Sequence, residues 1–198
     1  VSSRRRFEEA LDIIERQGLK REKVIALKYA GELAYEKGDL FKAKALLINA
    51  YQSGLLLAPD SALVSQAGRR LADVEFALDN LDEAMKHAQK ALELAAQLGE
   101  KVEVALARRI IARVFAARGD FGEALDHIRQ AVDLVRKVDD PYELGRTLLI
   151  QAQIFIMAGD EDARGIRASF EEAARLFKKL RLEYWMAESE FQAGVFAC

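Results

Sequence analysis

A short turn that recurs at a fixed distance is the feature of this sequence that most constrains its fold. The dipeptide Gly-Asp begins at Gly38, Gly119 and Gly159, and Asp79-Asn80 takes its place between the first two. The steps between successive turns are 41, 40 and 40 residues. Because a period of roughly 20–50 residues is typical of chains that stack copies of one supersecondary unit, we expect a repeat architecture.

Both sides of each turn predict a helix. Apolar residues recur at three- and four-residue spacing, and the chain is rich in residues that favour helices. No segment shows the polar and apolar alternation of a strand. Glycine at the turn provides the left-handed backbone that ends one helix, and the following Asp or Asn is predicted to cap the next helix. The only two prolines, Pro59 and Pro141, fall between repeats.

Small residues keep their register through the repeats. The aligned positions are Ala43, Ala84 and Ala124, and then Ala50, Ala91 and Ala131, with Ala10 in register with Ala50. A small side chain lets two helix backbones approach closely. A single helix pair cannot bury all of its apolar surface, and the stacking of successive pairs buries the remainder.

The predicted fold is all-α: a right-handed α-solenoid of stacked antiparallel helix pairs, with about ten helices. We expect one continuous domain that is part of a larger protein, with about two extra residues between Glu161 and Ala168. The predicted segments are 1–20 (second helix of a preceding repeat), four helix pairs at 21–60, 61–100, 101–140 and 141–181, and 182–198 (first helix of a truncated fifth repeat).

These motifs resemble the tetratricopeptide repeat. That family has a small residue at the eighth position of its unit, a Gly-Asp or Gly-Asn turn, and alanines at the twentieth and twenty-seventh positions. Here Gly31, Ala72 and Ala112 match the eighth position. The period is longer than the family's usual unit of about 34 residues, and Leu27, Gly68 or Arg108 replaces the usual aromatic residue at the fourth position. The long unit resembles the repeats of multidomain bacterial signalling and transcription regulators.

The resemblance implies binding and regulation rather than catalysis, with partner contacts on the first helix of each pair. Carried over residue by residue, it gives the predicted partner-binding residues Lys28, Glu32, Tyr35, Arg69, Arg70, Asp73, Phe76, Arg109, Arg113, Arg146 and Gln153. Arginine suits carboxylates because its planar fork can bind them in a bidentate manner. We therefore expect an acidic peptide or partner segment. The alternative is that these arginines are solvated, or paired with Asp73, Glu32 and Glu75.

Other motifs point to no chemistry. His87 and His127 lie on successive second helices, but two imidazoles without further ligands favour a repeat-related position over a metal site. No nucleotide-binding loop occurs, and no nucleophile, base and oxyanion site assemble. We therefore expect no enzyme activity, no metal and no cofactor, and nucleic acid is not an expected partner.

The last predicted helix carries bulky apolar residues. Trp185, Met186, Phe191 and Val195 form a patch that we expect either to be covered in a longer protein or to support a homodimer.

Composition and charge narrow the function further. The chain is 51% apolar and 31% charged with a net charge of −2, which is typical of a folded protein without a general attraction to nucleic acid or membrane. The single cysteine, Cys198, favours a reducing cytoplasm. The sequence thus predicts a protein–protein interaction scaffold that is the regulatory module of a larger bacterial signalling or transcription regulator. The alternatives are a stand-alone adaptor or assembly factor and a sensor of a peptide or small molecule.

Overall fold

The computed structural model describes residues 3–159 and 163–196. Within these ranges the chain forms ten α-helices and no strand. The helices are α1 (Ser3–Arg16), α2 (Lys20–Glu36), α3 (Leu40–Leu57), α4 (Ala62–Ala77), α5 (Leu81–Leu98), α6 (Lys101–Arg118), α7 (Phe121–Val138), α8 (Pro141–Met157), α9 (Ala163–Lys179) and α10 (Glu183–Phe196). We call α2, α4, α6, α8 and α10 first helices, and α1, α3, α5, α7 and α9 second helices.

The chain divides into two compact units, Val1–Glu103 and Val104–Cys198. The first unit contains α1 to α5 and the start of α6, and the second contains the rest of α6 and α7 to α10. The predicted all-α class and helix number are confirmed, whereas the predicted repeat boundaries stay a prediction. Asp160 and Cys198 lie outside the described residues.

The turns within the pairs have the predicted left-handed backbone. Gly38 and Gly119 have φ angles of 77° and 83°, and Asp79 adopts 60° at the equivalent position. The capping prediction holds only in part. Asp39 accepts a hydrogen bond from the backbone nitrogen of Lys42 at 3.3 Å, but neither Asn80 nor Asp120 makes a side-chain cap.

In the first unit, the aligned small residues form the contact between paired helices. Ala43 and Ala50 are fully buried in α3. A Cβ atom on Gly31 of α2 would lie 2.6 Å from Cγ of Leu47, so only glycine fits this close approach. Ala10 differs from the expected register: it is exposed, and Leu11 packs instead against the cluster of Leu27, Ala50 and Ala67.

In the second unit, α9 fills the space beside α7 and α8. Ile166, Phe170 and Phe177 of α9 are fully buried, in one cluster with residues of both neighbouring helices. A Cβ atom on Gly145 of α8 would lie 2.7 Å from Cζ of Phe177. Helix α8 has Pro141 in its first turn, and the side chain of Asp140 caps it by accepting from the backbone nitrogen of Glu143. The pairs therefore pack through the same helix faces throughout each unit.

Candidate partner-binding surface

The first helices of the first unit are joined by buried polar contacts. Arg69 of α4 is only 3% exposed, and its Nε donates to Oε2 of Glu103, while Nη2 donates to Oε1 at 3.3 Å. Nη1 of Arg69 lies 3.6 Å from Oδ2 of Asp73, one turn along the same helix. This guanidinium therefore holds α4 to the start of α6 and lies beneath the surface.

A second set of contacts joins α2 to α4. Nζ of the buried Lys28 donates to Oε1 of Gln66 at 3.2 Å and lies 3.8 Å from Oε1 of Glu32. Oε1 of Glu32 also accepts from Nε of Arg70 at 2.8 Å. Arg70 remains partly exposed, so a competing carboxylate can reach it.

Two predicted aromatic contacts lie on these same helices. Tyr35 is half-buried and packs against the cluster that contains Ala34 and Leu47. Phe76 is half-buried as well. Both rings are therefore partly accessible, as an aromatic contact residue needs to be.

The second unit repeats the buried ion pair. Arg109 of α6 is 2% exposed, and its Nη1 donates to Oε2 of Glu143 at 2.7 Å and to Oγ1 of Thr147 at 3.1 Å. Arg109 and Glu143 follow Arg69 and Glu103 by 40 residues each. The two arginines were predicted from the sequence, whereas Glu103 and Glu143 were not. The signal was present in the sequence, because Glu103 and Glu143 obey the same 40-residue period.

Arg146 of α8 has a different environment. Its guanidinium carbon lies 5.8 Å from the ring centroid of Tyr142 and 5.3 Å from that of Trp185. The side chain is half-buried, and no carboxylate among residues 3–159 and 163–196 forms an ion pair with it. Two aromatic rings thus hold an accessible cation in place.

The predicted binding residues therefore separate into two groups. Arg69, Arg109, Asp73 and Lys28 are buried, which agrees with the alternative that the arginines are paired across helices. The remaining predicted residues reach the surface, and Gln153 is the most open of them. These are Glu32, Tyr35, Arg70, Phe76, Arg113, Arg146 and Gln153.

Each histidine lies among side chains of its own unit. The ring of His87 meets the ring of Tyr51 edge-on at 5.4 Å, and His127 stacks on Phe115 at 5.7 Å. Burial lowers the pKa of both imidazoles, and at His127 the guanidinium of Arg108 lowers it further. Nη1 of Arg108 donates to Nδ1 of His127 at 3.3 Å, so that nitrogen is unprotonated.

No group of three or more His, Cys, Asp or Glu residues in the described part of the chain could hold a metal ion. None of the helices described is both long and apolar enough to span a membrane.

Helix pairs joined by left-handed turns, with recurring polar contacts between first helices, define a helical repeat protein. Residues 61–137 match the family model of the tetratricopeptide repeat. This match confirms the predicted resemblance to the tetratricopeptide repeat over these residues, and the solved structures below share the fold. No curated protein matches the sequence significantly.

Three solved structures illustrate the similarity in fold. A Rap protein complexed with competence and sporulation factor is 16% identical with a TM-score of 0.79, and the match covers 89% of this chain and 48% of that one. BtubC (BKLC) from P. vanneervenii is 17% identical with a TM-score of 0.62, over 98% and 87%. A putative kinesin light chain of Podosopora anserina is 17% identical with a TM-score of 0.54, over 89% and 95%. This chain thus spans about half the length of the Rap protein.

Proposed function

We propose that this chain is a non-catalytic scaffold for protein–protein interaction that binds an acidic peptide or an acidic segment of a partner. The fold supports the scaffold role, since helical repeats of this type present the accessible side chains of their first helices. The observation that carries the acidic specificity is Arg146, an accessible guanidinium held by Tyr142 and Trp185.

The environment of Arg146 favours an anionic ligand. Aromatic faces attract a cation but leave its N–H groups without acceptors. A bound carboxylate can accept two of these N–H groups at once, and the rings limit the rotamer entropy that the arginine loses on binding. The other arginines are less available, because Arg70 is paired with Glu32 and Arg109 with Glu143.

The other predicted residues either contact the partner or join neighbouring first helices. In the first unit, Tyr35, Arg70 and Phe76 contact the partner. In the second unit, Arg113, Arg146 and Gln153 do so. The buried Arg69 and Arg109 instead hold the first helices in register. Reversing their charge would therefore test folding rather than binding.

The test uses peptides selected on the wild-type chain from a random display library. We expect the selected peptides to be rich in Asp and Glu, and Arg146→Glu to weaken their affinity about tenfold or more, which is about 1.4 kcal/mol. Fluorescence anisotropy of one labelled peptide measures both dissociation constants. The variant should also show a weaker dependence of affinity on salt.

The matched control is Lys137→Glu, which makes the same charge change on an exposed residue in the last turn of α7. We expect its affinity to stay within about twofold of wild type. Equal weakening by both variants would mean that net charge alone attracts the peptide. Selected peptides without acidic residues would overturn the proposed specificity.

We further propose that the scaffold is the regulatory module of a larger bacterial signalling or transcription regulator in the cytoplasm. The similarity to a Rap protein solved in complex with competence and sporulation factor supports a module that recognises a signal. The adaptor and the sensor of a peptide or small molecule are the competing proposals. The full-length reading frame distinguishes them, because a regulator requires an output domain beside the repeats.

Self-association is a second candidate function. Of the predicted homodimer patch, Trp185 and Met186 are half-buried and pack against the core cluster of the second unit. Phe191 and Val195 are 65% and 60% exposed. Tyr184, at 72% exposed, extends this apolar stripe along α10. Exposed apolar residues that share one helix face support contact with a second copy.

A further inference from the structure

The second helices share an apolar triad at spacing i, i+3, i+7 that packs against the first helix of the same pair. The triads are Leu47, Ala50 and Gly54 in α3, Ala88, Ala91 and Ala95 in α5, Ile128, Ala131 and Val135 in α7, and Phe170, Ala173 and Phe177 in α9, and all of these residues are buried. Helix α1 carries the same triad as Phe7, Ala10 and Ile14. There Ala10 is exposed and the other two residues are only half-buried.

Helix α10 has the complementary feature. Gly194 follows Ala173 of the preceding second helix by 21 residues, and Ala152 follows Ala131 by the same distance. Gly194 is therefore equivalent to Ala152 and, in the first repeat, to Gly31. Ala187, seven residues before Gly194, is equivalent to Gly145. The equivalent residues of the other first helices are buried beneath their own second helix. Ala187, Glu190 and Gly194 are exposed, and a Cβ atom on Gly194 would have open space around it.

A groove borders this face of α10. It encloses about 320 Å³ between α9 and α10, with Phe170, Ala174 and Ala193 among the apolar residues that line it. Its charged groups are Glu171, Glu190 and Arg175. The equivalent space beside α7 and α8 is filled by α9.

We propose that the α1 end of one copy docks on the α10 end of a second copy, so that α1 takes the place of a second helix beside α10. The occupant is a second copy, because α1 carries the residues that this face requires. This proposal goes beyond the scaffold function, and it makes the self-association through α10 a head-to-tail contact rather than a symmetric one.

Contacts inside the chain specify the contacts between copies. Phe7 is the equivalent of Leu47, and Gly194 is the equivalent of Gly31. The close approach of Gly31 and Leu47 inside the chain therefore predicts that Phe7 of one copy packs over Gly194 of the other. The approach of Gly145 and Phe177 predicts that Ile14 packs over Ala187.

The same equivalence predicts a polar contact between the two copies. Arg108 and His127 lie 3.3 Å apart at the positions equivalent to Glu190 and Arg6. Arg6 and Glu190 are both exposed and opposite in charge, so an ion pair is predicted between the copies.

The same docking covers the exposed apolar residues of the neighbouring first helices. Inside the chain, Glu32 of α2 binds Arg70 of α4, the next first helix. Val195 of α10 is the equivalent of Glu32, and Tyr29 of α2 in the second copy is the equivalent of Arg70, so these two residues should meet between copies. Tyr29 is 59% exposed. Leu33, 48% exposed, continues its face of α2 one turn further along. The exposed stripe of α10 thus meets an exposed apolar face of α2 in the second copy.

Sedimentation velocity over a range of concentrations tests the proposal. The wild-type chain should form species larger than a dimer, because each head-to-tail dimer still has one unoccupied α1 end and one unoccupied α10 end that can bind further copies. Phe7→Asp, at the α1 end, and Gly194→Phe, at the α10 end, should each weaken association at least tenfold. Far-UV circular dichroism establishes that both variants stay folded, and Lys137→Glu should associate as wild type does.

Mixing the two blocked variants is decisive. Phe7→Asp retains an intact α10 face and Gly194→Phe an intact α1 face, so an equimolar mixture should form a one-to-one dimer that grows no further. A symmetric contact through α10 would instead leave Phe7→Asp fully able to self-associate and give no mixed dimer. That result, or a wild-type chain that stays monomeric at all concentrations, overturns the proposal.

Charge exchange adds an independent measurement. Arg6→Glu and Glu190→Arg should each weaken association several-fold, and the double variant should recover most of the loss because the ion pair is restored with its charges exchanged. A double variant no better than the single variants would contradict the predicted pair. Neither residue belongs to the proposed peptide-binding surface, so peptide affinity is measured separately on the same proteins.

Discussion

Two successive contacts between first helices in the second unit use different chemistry in the same place. Between α6 and α8, Arg109 and Glu143 form a buried ion pair. The equivalent residues of α8 and α10 are Leu149 and Trp185, which belong to one apolar cluster in which Trp185 stacks on Phe177 at 5.8 Å. The repeat therefore conserves the position of a contact, while the residues that fill it are free to change between ionic and apolar.

Physical chemistry explains this freedom. A buried ion pair gains little net stability, because the cost of removing two charges from water offsets their attraction. An apolar pair of similar volume stabilises the same contact by burial. What the contact does not tolerate is a single buried charge without its partner.

Breaking the ion pair on one side should have the largest effect. Arg109→Met leaves the carboxylate of Glu143 buried, and we expect the free energy of unfolding to fall by about 3–5 kcal/mol. Urea denaturation followed by circular dichroism measures the change.

The double variant Arg109→Met with Glu143→Leu makes the α6–α8 contact resemble the α8–α10 contact. Its free energy of unfolding should lie within about 1 kcal/mol of wild type, because similar volume is kept and no charge is left unpaired. A double variant as unstable as the single variant would show that the two contacts are not interchangeable.

Replacing one glycine in α8 and one in α10 should change the stability of the chain by an intermediate amount and in opposite directions. Gly145→Ala places a methyl group against the buried ring of Phe177 and should cost about 1–3 kcal/mol. Gly194→Ala meets open space and should stabilise α10 by up to about 1 kcal/mol, since alanine favours the helix. Thermal unfolding at low protein concentration measures both, and equal effects would contradict the difference between the two faces.

The smallest effect should be a pH dependence of the free energy of unfolding that arises at His127, next to Arg108 of α6. Burial lowers the pKa of His127 in the folded chain, with Arg108 adding to the effect. As pH falls below the ordinary histidine pKa of about 6.5, the unfolded chain binds the proton first, so the free energy of unfolding decreases. The decrease ends below the folded pKa.

His127→Gln removes this titration. The free energy of unfolding should then fall less between about pH 7 and pH 5.5 than it does in wild type. Urea denaturation at several pH values gives the two slopes, and identical slopes would exclude His127 as a source of the decline.

Much of the fold was predictable from local sequence. The Gly-Asp period fixed the helix pairs, and the aligned alanines identified the buried faces, because close helix packing requires small residues at regular spacing. Register was harder at the start of the chain, where Ala10 aligns with Ala50 and is nevertheless exposed. Alignment reports equivalence along the chain, whereas burial depends on which neighbouring helix is present.

The candidate site was predictable only in part. The periodic arginines were visible, but their spacing could not distinguish Arg109, buried against Glu143, from Arg146, held between Tyr142 and Trp185. All lie on the first helices that the resemblance selected. The difference depends chiefly on Glu143 and Trp185, each of which lies on the next first helix, and helical spacing within one element does not encode that contact.

The sequence by itself determined that this protein is a helical repeat, because turn chemistry and helix periodicity are local properties that each repeat states again. Only the tertiary structure decided which charges are buried in pairs and which reach the surface, because burial is a property of the neighbours that stacking brings together.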